Sequence, residues 1–123
     1  MARVVLLVED DNDILQLYRT AFTVAGFETI EAVNGADAME KLDQRLPDAV
    51  VLDISMPKAS GLRVIEYLRE ERGMTELPVI VTTAYPYLAE ATVLSGATHT
   101  LMKPMAIQKL VNLVESLMVD EPV

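Results

Sequence analysis

Four short stretches of this 123-residue chain carry the residue types that phosphate and metal chemistry use: Glu9–Asp10–Asp11, Asp53, Thr82–Thr83 and Lys103–Pro104. Each stands at the end of a short apolar run or directly after one. Carboxylates brought together repel and raise one another's pKa unless a cation compensates. Carboxylates, a carbonyl and waters are the ligand set of Mg²⁺, which keeps several waters and takes one or two carboxylates. A phosphoryl group arriving there would meet the ion, the Lys103 ammonium and the Thr83 hydroxyl. Its transfer needs little beyond positioning and charge neutralisation. Asp53 can serve as the nucleophile, giving an aspartyl phosphate.

Each residue alone has a plainer reading. Asp11 suits the N-cap of a following helix, where short acidic side chains are favoured. Asp53 could be a turn residue, but it lies in an apolar run, where an unpaired charge is costly. Thr83 alone says little, since threonine is common in strands, and Lys103 could be a surface lysine. His99, the only histidine, reads as ordinary surface. The joint placement of the four stretches carries the signal.

The elements that must position them alternate five times between apolar runs and helical patterns. Val4–Val8, Ala49–Ile54 and Val79–Thr83 are continuous and β-branched, as strands buried on both faces would be. Phe27–Val33 and Thr98–Met102 are broken by polar residues and read as sheet edges. Asn12–Ala25 is a helix with Ile14, Leu17, Tyr18, Ala21, Phe22 and Ala25 at helical spacing, closed by Gly26. Asn34 caps a second helix over Gly35–Leu46, stopped by Pro47. Ser60 is the expected cap of a third, running to about Arg72 and closed by Gly73. Pro86 suits the first position of a fourth, Pro86–Leu94. A fifth, Ala106–Val119, has a wide apolar face including Ile107, Leu110, Val111 and Val114.

Strands alternating with helices imply an α/β protein, a parallel sheet with helices on both faces. Three buried strands and two edges match the doubly wound, flavodoxin-like order 2-1-3-4-5 with five strands and five helices. In such a sheet ligands bind outside the carboxyl ends of the strands, where the four stretches fall. The length fits a single domain over residues 1–123. With no cysteine, disulfides, thiolate metal sites and a cysteine nucleophile are excluded. No apolar run is long enough to cross a bilayer, and no secretory signal pattern is present, so a cytoplasmic location is expected. The net charge of −9 disfavours direct nucleic-acid binding and favours proteins or a cation as partners.

Val4–Asp11, Val50–Pro57 with Gly61–Leu62, Pro78–Ala84, Gly96–Ala97 and Lys103–Pro104, in order and at these spacings, resemble the response regulator receiver domains along essentially the whole chain. The resemblance implies a two-component signalling role. Asp53 would accept a phosphoryl group from a histidine kinase or phosphotransfer protein. Mg²⁺ would be held by Asp10 and Asp53, by Glu9 through water, and by the backbone carbonyl of Ser55. Thr83 would be the switch hydroxyl, Lys103 the lysine that pairs with the phosphoryl group, and Pro104 its cis partner. Beyond its own phosphorylation and dephosphorylation the chain would not be an enzyme. Its output would reach a downstream protein target by contact, as a monomer or weak dimer.

Three positions depart from the family pattern. Thr100 stands where an aromatic ring usually moves with the switch hydroxyl, Met105 follows Lys103–Pro104 in place of a common Phe, and Thr98–His99 replace aspartates after Gly96–Ala97. Tyr85 or Tyr87 could supply the missing aromatic. Leu88, Val93 and Leu94 on the fourth helix are candidates for a contact surface. Other classes stay open: a phosphorylation-independent pseudo-receiver, a Mg²⁺-dependent enzyme acting on phosphate esters, and a flavin-binding protein. Ser55 stands where hydrolases that use an aspartyl phosphate carry a second Asp. No Gly-rich phosphate loop follows the first strand, which counts against flavin.

Overall fold

The computed structural model describes residues 3–54 and 59–118. Five parallel strands, β1 (Arg3–Val8), β2 (Phe27–Ala32), β3 (Ala49–Asp53), β4 (Val79–Thr83) and β5 (His99–Met102), lie in the order β2-β1-β3-β4-β5. Between and after them run α1 (Asn12–Val24), α2 (Gly35–Gln44), α3 (Ala59–Glu66), α4 (Pro86–Leu94) and α5 (Ile107–Leu117). The flavodoxin-like order anticipated from three buried and two edge strands is therefore the one observed.

Successive strand residues point to opposite faces, and the sheet builds two cores accordingly. Val5, Leu7, Val51 and Ile80 pack with Leu15, Tyr18 and Phe22 of α1 and with Leu110, Val111 and Val114 of α5. Leu6, Val8, Val50, Leu52, Val79 and Val81 pack with Ala38 and Leu42 of α2, Val64, Ile65 and Leu68 beyond the sheet, and Leu88 of α4. This parity decides which side chains at the strand ends share a face.

Local chemistry sets most element ends. Asp11 caps α1, its Oδ1 accepting from Asp13 N at 2.9 Å and Ile14 N at 3.2 Å. Asn34 Oδ1 accepts from Asp37 N at 2.8 Å, and Asp37 Oδ2 from Val33 N at 3.0 Å, a reciprocal start for α2. Pro86 opens α4. Gly26 and Gly73 follow the first and third helical segments at positive φ, where a side chain would be strained.

Several sequence expectations need correction. Leu17, placed on the buried face of α1, is 62% exposed, and Leu15 is buried instead. The stripe that meets the sheet is Leu15–Tyr18–Phe22, flanked by Ile14, Ala21 and Ala25. Ser60, the expected cap of the third helix, already lies within α3, and its side chain lies outside the described part. That helix also does not run on uniformly to Arg72. Tyr67–Glu71 adopt wider π-helical winding, with Arg72 N bonding Tyr67 O at 2.9 Å. α2 ends two residues before Leu46: Arg45 is extended, and its guanidinium pairs with Glu28 on the β2 edge. Leu88 is buried and belongs to the core, while Val93 is exposed; the side chain of Leu94 lies outside the described part.

Candidate functional site

β1, β3 and β4 bring three polar residues into one row. Val8 pairs with Leu52, so Glu9 and Asp53 leave β1 and β3 side by side, and Asp53 pairs with Thr82 of β4. Strand parity puts all three on the α1/α5 face of the sheet. Lys103 follows Met102, the partner of Thr83, and its backbone N–H donates to Thr83 O at 2.8 Å. The Lys103 ammonium donates to Asp53 Oδ2 at 2.7 Å.

Burial makes this row unusual. The side chain of Asp53 is 1% exposed and that of Lys103 is 22% exposed, so the ion pair is largely desolvated. Glu9 is also buried, with Oε1 accepting from Asp11 N at 3.2 Å. Among the described residues, three side-chain oxygens are buried without a hydrogen-bond partner: Glu9 Oε2, Asp53 Oδ1 and Thr82 Oγ1. An unsatisfied buried polar group costs about 1–3 kcal/mol, more when charged, so a run of three marks a place shaped by something other than stability.

The remaining expected residues fall around this row. Thr83 is fully buried on the opposite face, with Oγ1 accepting from Tyr85 N at 3.1 Å. Asp10 is exposed, just beyond Glu9. Ser55 lies outside the described residues. Lys103–Pro104 is a cis peptide, as the resemblance implies. His99 is exposed, as read from the sequence. Thr100 is partly buried and hydrogen-bonded to Thr92 of α4, Oγ1 to Oγ1, at 2.9 Å. Thr92 Oγ1 gives its single proton to Ala89 O at 2.8 Å, so Thr100 is the donor to Thr92. The Tyr85 ring packs against the α2/α3/α4 core and lies 5.7 Å from the Tyr87 ring.

The orphaned oxygens bear on whether these residues fit Mg²⁺. Among the described residues no three His, Cys, Asp or Glu side chains gather into a ready-made metal cluster. Mg²⁺ does not require one, since it takes one or two carboxylates and keeps its waters. Glu9 Oε2 and Asp53 Oδ1 are two hard oxygen donors without a proton partner, and they fit a small divalent cation.

Beside the row opens an apolar cleft of about 430 Å³, bordered by Lys103, Ala84, Ile14, Leu17, Pro104, Met105 and neighbouring side chains. The exposure of Leu17 gives this cleft its outer wall. Among the described residues no helix is long and apolar enough to cross a membrane.

The family model of the response regulator receiver domain matches residues 5–115. The chain belongs to that family. Among curated relatives, the polar-differentiation response regulator DivK of Brucella anthropi is 28% identical over 122 residues, covering 98% of this chain and 99% of that protein. The receiver domain of the Francisella response regulator 1452 is 29% identical at a TM-score of 0.83, covering 94% of this chain and 95% of that one. The chemotaxis protein CheY4 of Vibrio cholerae, 24% identical, shares the fold at a TM-score of 0.85, covering 96% of this chain and all of that one. The chain is thus a receiver domain of two-component signalling.

Of the residues singled out in the sequence, the structure sets Glu9 and Asp53 at neighbouring strand ends and Lys103 on Asp53. The sequence pointed to Thr83 as the hydroxyl at this rim; Thr82, which shares the face of Asp53, and Thr92 were not singled out. The signal for Thr82 was available as strand parity, because two residues paired across parallel strands share a face, and Asp53 pairs with Thr82.

Proposed function

We propose that this chain is a phosphorylatable switch that accepts a phosphoryl group on Asp53 from a histidine kinase or phosphotransfer protein. The observation that carries the reading is a buried carboxylate bonded to a lysine ammonium through one oxygen and unpartnered at the other. An Asp53 oxygen attacks the donor phosphorus, the bond from phosphorus to the leaving group breaks, and its electron pair departs with that group. The Lys103 ammonium is near enough to follow the charge onto the transferred group, and the Thr83 hydroxyl can turn towards it by releasing Tyr85 N–H. Glu9, Asp10 and Asp53, with the Ser55 carbonyl, would hold Mg²⁺, which when bound neutralises charge on the phosphoryl oxygens.

Phosphorylation replaces the single negative charge of the carboxylate with roughly two on the acyl phosphate, a net gain of about one. Thr83 and Tyr85 join that change to the first turn of α4, and Thr100 and Thr92 join α4 to β5, so the α4–β5 side is the surface that would signal to a downstream protein. Tyr85 and Tyr87, adjacent at the start of α4, are the aromatic pair available to report it. The cleft beside Lys103 suits an apolar side of a phosphodonor protein, brought there by the need to deliver its phosphoryl group to Asp53. We assign the chain to the cytoplasm, where such donors act, and to no reaction beyond its own phosphorylation and dephosphorylation.

Intact-mass spectrometry after incubation with acetyl phosphate and Mg²⁺ tests the reading. A Mg²⁺-dependent phosphoryl adduct is expected on the wild type and not on Asp53→Asn. A wild type that binds Mg²⁺ but gains no phosphoryl mass would instead be a pseudo-receiver, an interaction module independent of phosphorylation.

A further inference from the structure

Thr82 has no part in the chemistry described so far, yet its surroundings are hard to explain by packing. It is fully buried near the end of β4, and Ile80, the other residue of that strand on the α1/α5 face, is aliphatic. Valine would fill the same volume there without a hydroxyl. The hydroxyl has no hydrogen-bond partner in this structure.

Its neighbour across the sheet is Asp53, directly paired with it and on the same face. Adjacent strands lie about 4.8 Å apart, so side chains opposite one another are within one rotamer of contact. Asp53 Oδ1 is an acceptor lacking a donor, and Thr82 Oγ1 carries one donatable proton without an acceptor. Glu9 Oε2, the third orphan, has no proton to give when ionised and cannot supply Asp53. Lys103 is engaged at Oδ2.

Resting on the receiver reading, we propose that Thr82 is a positioning residue for phosphorylation of Asp53. Its hydroxyl donates to Oδ1 while Lys103 holds Oδ2, and together they fix the plane of the carboxylate for attack on phosphorus. Thr83, on the other face, holds Tyr85 N–H until the phosphoryl group arrives. The two adjacent threonines thus divide the work, one orienting the nucleophile and one linked to α4.

The test compares Thr82→Val, which keeps the shape and removes the hydroxyl, with Thr82→Ser, which keeps the hydroxyl. Three readouts are taken: the rate of phosphoryl gain from acetyl phosphate with Mg²⁺, the NMR resonance of the Asp53 carboxyl carbon without donor, and thermal unfolding. For Thr82→Val the expected rate falls about tenfold, the loss of one hydrogen bond to a charged group. The Asp53 carbon resonance moves, while the melting temperature changes little, because the buried methyl that replaces the hydroxyl offsets the lost bond. Thr82→Ser is expected to restore both rate and resonance. A Thr82→Val protein with wild-type rate and an unmoved resonance would overturn the proposal. A wild type that gains no phosphoryl group would overturn the receiver reading instead, and the donor-free resonance would still decide whether Thr82 bonds Asp53.

Discussion

The two ends of this sheet are built by opposite rules. At the end where the strands begin, side chains complete the hydrogen bonding that the backbone leaves open. Asp48, just before β3, donates its N–H to Val4 O and accepts from Val4 N through Oδ2, both at 2.7 Å. Thr98, just before β5, does the same with Val79, donating its N–H at 2.8 Å and accepting through Oγ1 at 2.9 Å. Arg69 then joins this end together, donating to Met74 O, Gly96 O and Thr98 Oγ1. Burial pulls its guanidinium below the usual pKa. At the end where the strands finish, three buried oxygens in Glu9, Asp53 and Thr82 are left without partners. Strand beginnings supply stability, and strand ends hold polar groups in readiness at a cost to it.

The largest expected effect comes from removing the ammonium that holds Asp53 at the unsatisfied end. Lys103→Met leaves the Asp53 carboxylate buried and unpaired, and stability should fall by about 3–5 kcal/mol. The reverse truncation should not be symmetric. In Asp53→Asn the Lys103 ammonium, already partly exposed, can reach water, and the like-charge repulsion between Asp53 and Glu9 disappears. Asp53→Asn should therefore be neutral or stabilising. Chemical denaturation of both variants checks this. Equal destabilisation by the two would mean that the pair is a structural ion pair and that the contrast between the two ends is wrong.

A smaller effect is expected at the satisfied end. Arg69→Met keeps much of the side-chain packing but strips donors from two carbonyls and from Thr98, and should cost about 1–3 kcal/mol. Gly96 stands at a φ of +110°, and a Cβ there would lie 2.9 Å from Arg69 Cγ, so the contact is close as well as polar. Phosphoryl gain from acetyl phosphate should be unchanged, because Arg69 sits at the opposite edge from Asp53. Loss of phosphorylation in a folded Arg69→Met protein would join the two ends functionally and break the comparison.

The sequence carried this asymmetry only in part. Strand alternation, the caps Asp11 and Asn34, Pro86 at the head of α4 and the glycines after helices are local signals, and each acts where it stands. The convergence of Glu9, Asp53 and Lys103 followed from the rule that open parallel sheets present ligand sites at strand ends. What was not legible depends on choices made between elements. Positions 14 to 25 contain two overlapping apolar stripes, and packing on the sheet selected Leu15 over Leu17. The π-helical winding at Tyr67–Glu71 goes with tertiary partners that no periodicity records: Arg72 bonds Asp43 of α2 at 2.8 Å, and Tyr67 bonds the same carboxylate. The polar clamps of Asp48 and Thr98 look like ordinary turn residues until the neighbouring strand is in place.

The smallest effect is the most discriminating, because the same chemical change can be made at both ends. Thr98→Val removes a hydroxyl that accepts from Val79 N and from Arg69, leaving a backbone N–H at the head of β4 without its acceptor. It should destabilise by about 1 kcal/mol. Asp48→Ala removes the matching bond from Val4 N and should cost a similar amount. The two losses should add within about 0.5 kcal/mol, since the sites share no partner. Thr82→Val, near the end of the same strand, gives up the proposed bond to Asp53 but buries a methyl group in place of a hydroxyl, and should leave stability nearly level. Measured by urea unfolding, the two Thr→Val substitutions should therefore differ in sign or nearly so. If both destabilise equally, the Thr82 hydroxyl stabilises the fold as much as that of Thr98 does, and the contrast between the two ends fails.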